Sequence, residues 1–348
     1  MFSPTTEGNT YWPQVYAILR DAADDLGVEL LVHEFDVTDR FAREEEALAI
    51  LQSTTDIDGA IFSVAVGQAP PLVAEAERRG FPVMINGPLH DRDVRALGGG
   101  PRTRFSQWVG YFYQDEEEKG YRLGQILLHA ARDDRTEDSG APIAVAGIGG
   151  DHTWSGSALR ANGLRRAVSD DGNARLIQIV PTQWTEREGT TTAARLLARY
   201  PEIEVLWAAS DQLAIGAGSA IASRPGEAAT RHGVVTGGLD MSPRGLRAVR
   251  DGDLVATASS TLFTFAEALV YLYDYIHGHD FADNVGSTIE TSIEVATRET
   301  ATMYIELYDR HAGIDFRRFS KAFDPDLDRY DFSPAAYRRA LHASMPSE

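Results

Sequence analysis

Cysteine is absent from all 348 residues. That excludes disulfides, thiolate metal sites and cysteine nucleophiles, and says little about redox compartment. Long apolar runs are missing as well. No stretch of about eighteen apolar residues occurs, so no segment reads as a membrane span. Basic residues are scarce beside acidic ones: 33 Lys and Arg face 52 Asp and Glu, for a net charge of −19. This deficit disfavours nucleic acid and anionic membrane surfaces as partners. A DNA-binding segment ahead of the first strand, a Gly-rich phosphate loop, a His-rich metal spacing and a nucleophile elbow are all lacking. The run Gly98–Gly100 precedes Pro101 and neither follows a strand nor opens a helix, so it is no phosphate cradle. No leader is visible. The chain opens on Met1-Phe2-Ser3-Pro4, which reads as the end of a strand, so a removed leader and part of that strand are expected to precede it.

What is present is an ordinary globular composition, 43% hydrophobic and 9% aromatic, at a length that suits two domains. Helix-like and strand-like segments alternate, which predicts α/β architecture with parallel sheets and crossover helices. Helical patterns fall near residues 12–26, 41–52, 71–79, 116–132, 157–168, 186–200, 212–222, 243–250 and 263–276. Apolar runs fall near 29–33, 59–64, 82–85, 143–147, 176–180, 204–208, 233–237 and 254–258. With the strand at the start this makes nine, more than one open sheet usually holds, and predicts two doubly wound lobes. The break is expected around W-V-G-Y-F-Y-Q at 108–114. The acidic run at 115–118 after it reads as a solvated helix start, where the helix dipole favours negative charge. The aromatic and basic stretch 314–341 is expected to pack on one lobe.

The most informative segment is V-L-W-A-A-S-D-Q-L-A-I-G-A, residues 205–217. An apolar run of strand type stops at Ser210 and Asp211, and a small-residue helix follows. A Ser-Asp pair at a strand's carboxyl end stands where an open α/β sheet leaves its ligand crevice. Asp211 as a helix cap explains the same residues.

Taken with this segment, five more resemble a known family: E-G-N-T-Y-W after the first strand, D-G-A-I-F-S at the third, V-G-Y-F-Y-Q at the break, S-A-L-R-A-N-G-L, and V-T-G-G-L-D followed by R-D-G-D-L-V-A-T. Their order and spacing resemble the type I periplasmic binding proteins of bacterial sugar uptake, a group that includes ribose-binding proteins and the quorum-sensing autoinducer receptor. The tail resembles a subgroup with a C-terminal extension. The resemblance implies two Rossmann-like lobes joined by crossings near 111–114, 259–261 and 290–295. One lobe would hold residues 1–112 and 260–290, the other 113–259 and 291–348 with the tail. It further implies a monomeric, periplasmic, non-catalytic protein without cofactor or metal, which closes on a sugar or sugar-like ligand and meets a membrane ABC permease. A sensor kinase is the alternative partner.

Hydroxyl-rich ligands are held by charged or amide groups and by aromatic rings against their apolar faces. On this basis the candidates are Glu7, Asn9 and Trp12 in the first loop and helix start, Ser63 after the third strand, and Asn86 after the fourth. In the second lobe they are Trp154 in G-G-D-H-T-W-S-G, Arg160, Trp184, Ser210, Asp211, Asp240 and Ser260. Each has a structural alternative: a helix-start anchor for Trp12, a solvated carboxylate for Glu7, a local backbone bond for Ser63, a turn for Asn86, a helix cap around His152, and a hinge-network role for Arg160. Trp184 and Asp211 lead the ranking. The resemblance also implies a second Arg where Ala158 stands, an aromatic at Leu239 and Gln or Arg at Ser260, so the ligand differs from a simple pentopyranose. Asp211 and Asp240 could be mistaken for a glycosidase pair, but the sequence shows no neighbour to raise either pKa.

Overall fold

The computed structural model describes residues 2–5, 11–36, 40–135, 140–151, 154–224 and 233–343. Twelve strands follow one another within them: β1 (Phe2–Thr5), β2 (His33–Asp36), β3 (Ala60–Ser63), β4 (Val83–Asn86), β5 (Trp108–Tyr113), β6 (Ile143–Gly149), β7 (Ala174–Pro181), β8 (Val205–Ala208), β9 (Val235–Leu239), β10 (Thr257–Ser259), β11 (Thr288–Glu290) and β12 (Glu294–Ala296). The chain groups into two compact units. Unit 1 comprises Met1–Gln114, Leu262–Thr291 and Leu307–Glu348; unit 2 comprises Asp115–Thr261 and Ser292–Glu306.

Unit 1 holds a six-stranded sheet in the order β11-β5-β4-β3-β1-β2, and unit 2 one in the order β12-β10-β9-β8-β6-β7. Every ladder is parallel except β10 with β12, which is antiparallel. Parallel strands need crossover helices, and sheets so covered are apolar on both faces. The V-L-W-A run of β8 shows this directly: all four residues are buried, and the Trp207 indole donates to the Gly120 carbonyl at 3.2 Å. In unit 1 the core gathers Phe62, Val83, Ile85, Leu97 and Trp108 beneath the helix Ala69–Arg79.

The apolar run at 29–33 is not itself a strand: β2 begins only at His33, and Leu31 is 49% exposed. W-V-G-Y-F-Y is a full strand, β5, and not merely a break. Its aromatic and β-branched residues suit a pleated surface, and Gly110 lets Met84 and Phe281 approach the backbone. The two short strands β11 and β12 flank the boundary at Thr291.

The tail packs on unit 1, not on the second lobe where the sequence reading puts it. The reason lies in the helix Thr264–Ile276, which buries Asp274 completely. A buried carboxylate needs donors. The tail supplies four of them: the Ser320 and Tyr330 hydroxyls and the Lys321 and Ala322 amides. The Tyr337 ring then stacks on Phe263 at 4.1 Å.

Candidate functional site

In unit 2 the carboxyl ends of β6, β7, β8 and β9 carry the side chains of interest. Arg160, on the helix Ser155–Asp171, is at the centre. Its Nε donates to Glu116 Oε2 at 2.6 Å, and its Nη1 donates to the Ala209 carbonyl at 2.6 Å and to Asp240 Oδ1 at 3.0 Å. Lys119, one turn beyond Glu116, pairs with the same Glu116 oxygen at 2.9 Å. This reach requires two helices to pack very close. They do so through glycines: a Cβ on Gly120 would lie 2.1 Å from the Arg160 carbonyl, and one on Gly163 2.0 Å from that of Glu117. The R-x-x-G spacing therefore has a packing cause.

Three buried charges, Glu116, Lys119 and Arg160, and the partly exposed Asp240 set one another's titration. Burial opposes the charge on Glu116, but Arg160 and Lys119 outweigh it and hold the carboxyl below its usual 4.5. Burial likewise opposes the Arg160 charge, and Glu116 and Asp240 outweigh it and hold the guanidinium charged. Lys119 is pulled down to about 8, by burial first and by Arg160 second. Burial raises the Asp240 carboxyl, with Arg160 and Lys119 opposing the rise. Two cations face two acids, an arrangement far costlier to break than to keep.

Two indoles lie on this cluster. The Arg160 guanidinium is 5.0 Å from the Trp154 ring centroid and 5.9 Å from that of Trp184, and the two rings meet edge to face at 5.8 Å. Such contacts favour a cation beneath an aromatic face. Trp184 takes a left-handed backbone, φ 68°, in the turn after β7. Thr182 fastens that turn, its hydroxyl donating to the Gly149 carbonyl and accepting from the Trp184 amide. A capping box between Thr185 and Glu188 then starts the helix Glu186–Arg199. The indole rests on Gly150, where a Cβ would come within 1.9 Å of the ring. Asp240 follows β9 at φ 109° with its side chain 23% exposed. Strained non-glycine backbone at Trp184 and Asp240, beside half-exposed polar and aromatic groups, is the kind of outlier that gathers at binding sites.

Asp211 has a different role. It is 1% exposed, and its Oδ2 accepts from the amide and the hydroxyl of Ser242. Oδ1 has no hydrogen-bond partner among the described residues. Gly238 and Gly245 crowd it, each at a position where a Cβ would strike the carboxyl. Burial and, second, the charge of Asp240 push its pKa up to about 7. Asp240 thus does raise the Asp211 pKa, contrary to the sequence reading, yet Asp211 is walled in and ties the start of its own helix, Asp211–Ala222, to that of the helix Pro243–Asp251. Ser210 is the buried N-cap of the helix Asp211–Ala222, accepting from the Leu213 amide. Ser260 is buried just past β10.

In unit 1, Ser63 and Asn86 are registered neighbours at the carboxyl ends of β3 and β4. Both are half-buried, and the Asn86 amide donates to the Phe112 carbonyl at 3.2 Å. Trp12 lies in an aromatic group with Tyr11, Tyr16 and Phe265, with centroids 5.1 to 5.9 Å apart. Glu7, Asn9 and His152 lie outside the described residues. The structure brings Trp154, Arg160, Trp184 and Asp240 into one group, and it adds Glu116 and Lys119. The acidic run is therefore not wholly solvated. The i, i+3 spacing of Glu116 and Lys119 next to a helical glycine was the available signal.

The family model for the periplasmic binding protein domain matches residues 1–278. The chain belongs to this family. Among curated proteins, this periplasmic binding protein domain is similar to the ribose import binding protein RbsB of Salmonella typhimurium, at 29% identity over 115 residues, 33% of this chain and 36% of that one. The chain thus aligns with about a third of that relative's length. A crystal structure of a periplasmic sugar-binding protein from Pseudomonas fluorescens superposes with a TM-score of 0.83 at 25% identity, covering 97% of this chain and 98% of the other. A solute-binding protein of an ABC transporter from Actinobacillus succinogenes, solved with D-allose, shares the fold at a TM-score of 0.73 and 18% identity, over 86% and 98% of the two chains.

Proposed function

We propose that the protein captures a sugar or sugar-like molecule in the periplasm and hands it to a membrane ABC transporter. The observation that carries this reading is the group at the carboxyl ends of β7 and β9. Two indoles offer apolar faces, and Asp240 offers a carboxylate whose Oδ1 is fixed by Arg160. A ring that is apolar on its face and hydroxylated at its edge matches both. The family and the import and sugar-binding roles of its relatives point the same way. Asp211, sealed and committed to Ser242, is no acid or base for a substrate, which favours binding over turnover.

The action follows from linkage. A ligand that bonds groups in both units favours the arrangement in which both reach it, and a transporter recognises that arrangement. From unit 2 the groups are Trp154, Trp184 and Asp240; from unit 1 they are Ser63, Asn86 and Trp12. A thermal-shift screen against pentoses, hexoses, polyols and nucleosides tests the reading. At one hundred times Kd a true ligand adds about 2.7 kcal/mol to stability and raises the melting temperature. No shift with any member would contradict it.

A further inference from the structure

The chain passes between the two units four times. Three of the passages fall in irregular stretches, after Gln114, Thr261 and Thr291. The fourth falls inside a helix, Ala301–Asp309, between Glu306 and Leu307. That helix starts on a local cap, in which the Ala301 amide donates to the Thr297 carbonyl and the Thr297 amide to the Thr300 hydroxyl. Its buried residues are Ala301, Tyr304, Ile305, Leu307 and Tyr308, the i, i+3, i+4, i+7 stripe of an amphipathic helix widened by Leu307. It holds neither proline nor glycine, so nothing in it marks a place to kink.

Tyr304 and Tyr308 stand one turn apart, on either side of the boundary. Each hydroxyl holds a residue next to another passage, within its own unit. The Tyr304 hydroxyl donates to Glu294 Oε2 at 3.0 Å, three residues beyond the passage at Thr291. The Tyr308 hydroxyl accepts from the Leu262 amide at 3.1 Å, the first residue beyond the passage at Thr261. The unit 1 end is fastened further. Gln14 donates to the Tyr308 carbonyl at 3.1 Å, and the Phe263 ring lies 5.7 Å from that of Tyr308. We propose that Ala301–Asp309 is a strap built into the hinge, coupling two of the other passages through its paired tyrosines and setting the balance between arrangements of the two units. Backbone change at Leu262 must break or carry along a buried hydroxyl contact, and displacement of the Glu294 carboxylate a part-buried one. Each such bond shifts the balance by about fivefold. The biological role of the strap rests on the closure reading above; its mechanics do not.

The absence of cysteine makes the test direct. Asp24→Cys and Ala194→Cys are exposed positions, one in each unit, that take spin labels on the otherwise intact chain. Pulsed dipolar spectroscopy on ligand-free protein reads the distance distribution with and without Tyr304→Phe and Tyr308→Phe, which keep the rings. The double variant is expected to broaden or shift the distribution, and Tyr308→Phe to speed exchange of the Leu262 amide about fivefold. Unchanged distribution and exchange would overturn the strap. Should the double variant fail to fold, exchange in the wild type still decides. Amides 303–308 exchanging together with the slow core of unit 1 support a rigid strap, and faster opening at the boundary refutes it. A wild type that binds no sugar would sink the proposed function and leave this test standing. Sugar binding with an unaltered distribution in the double variant would sink the strap alone.

Discussion

In unit 1 the rings of Phe263, Phe316, Phe319, Tyr330, Phe332 and Tyr337 stack on one another, whereas in unit 2 the indoles of Trp154 and Trp184 lie on a guanidinium. The first set is built from the tail and one helix, and most of its area is out of water. The second set is half-exposed and rests on a network of three buried charges and the partly exposed Asp240. Aromatic density is therefore a poor guide to a ligand site. What separates the two is the ground beneath the rings: apolar contact stabilises the fold, while a fixed charge network holds two partly exposed rings and a partly exposed carboxylate in place.

The comparison predicts opposite outcomes for removing a ring. Tyr337→Ala opens a void against Phe263 and strips Glu267 of its hydroxyl partner, 2.9 Å away. Its expected cost is about 4 kcal/mol, read as a lower midpoint in urea denaturation. Loss under about 1 kcal/mol would remove the tail from the core of unit 1. Arg160→Met should cost about 3 kcal/mol, because Asp240 loses its ion-pair partner and Glu116 keeps only Lys119. A neutral result there would mean that the charges are not sealed.

Two buried carboxylates, Glu267 in unit 1 and Glu116 in unit 2, differ in the sign of their pH response. Burial pushes the Glu267 carboxyl up from 4.5 to about 7, with the Tyr337 hydroxyl opposing the rise. The folded state then holds a proton that the unfolded chain has lost, so stability falls as pH rises from 4.5 to about 7. Glu116 is depressed, so its contribution is present above 4.5 and is lost as pH falls through its folded value. Glu267→Gln should lessen the decline between pH 4.5 and 7, to which Asp211 also contributes, measured by urea midpoints across that range. An unchanged slope would show that Glu267 does not carry it. Trp184→Ala is expected to have the smallest effect on stability, about 1 kcal/mol or less, since the ring is half-exposed. Yet it should cut the ligand-induced rise in melting temperature to about half or less at the same ligand concentration.

Much of this architecture was readable from the chain, because parallel strands buried on both faces announce themselves as apolar runs between helix patterns. V-L-W-A and I-A-V-A-G are such runs and became β8 and β6. Where burial is one-sided the signal misled: L-L-V ahead of His33 looks like a strand and leaves Leu31 exposed. The short strands β11 and β12 carry too few residues to show a period. The tail's place depended on Asp274, one buried acid whose donors lie some fifty residues further on, and no local pattern reports that. In the candidate site, the grouping of Trp184, Trp154 and Asp240 was foreshadowed because polar and aromatic residues just past strand ends have little structural excuse. Asp211 was not legible in the same way. A carboxylate at a strand end looks alike from sequence whether it faces a ligand or, as here, accepts from Ser242 between Gly238 and Gly245.

The claim that unit 2 presents its indoles and Asp240 to a sugar is tested most directly by calorimetric titration of the best ligand from the screen into wild type, Trp184→Ala and Asp240→Asn. Both variants should keep the wild-type circular dichroism spectrum and lose at least about tenfold in affinity, the loss of one charge-assisted hydrogen bond or one stacked ring. Wild-type affinity in both would contradict the account.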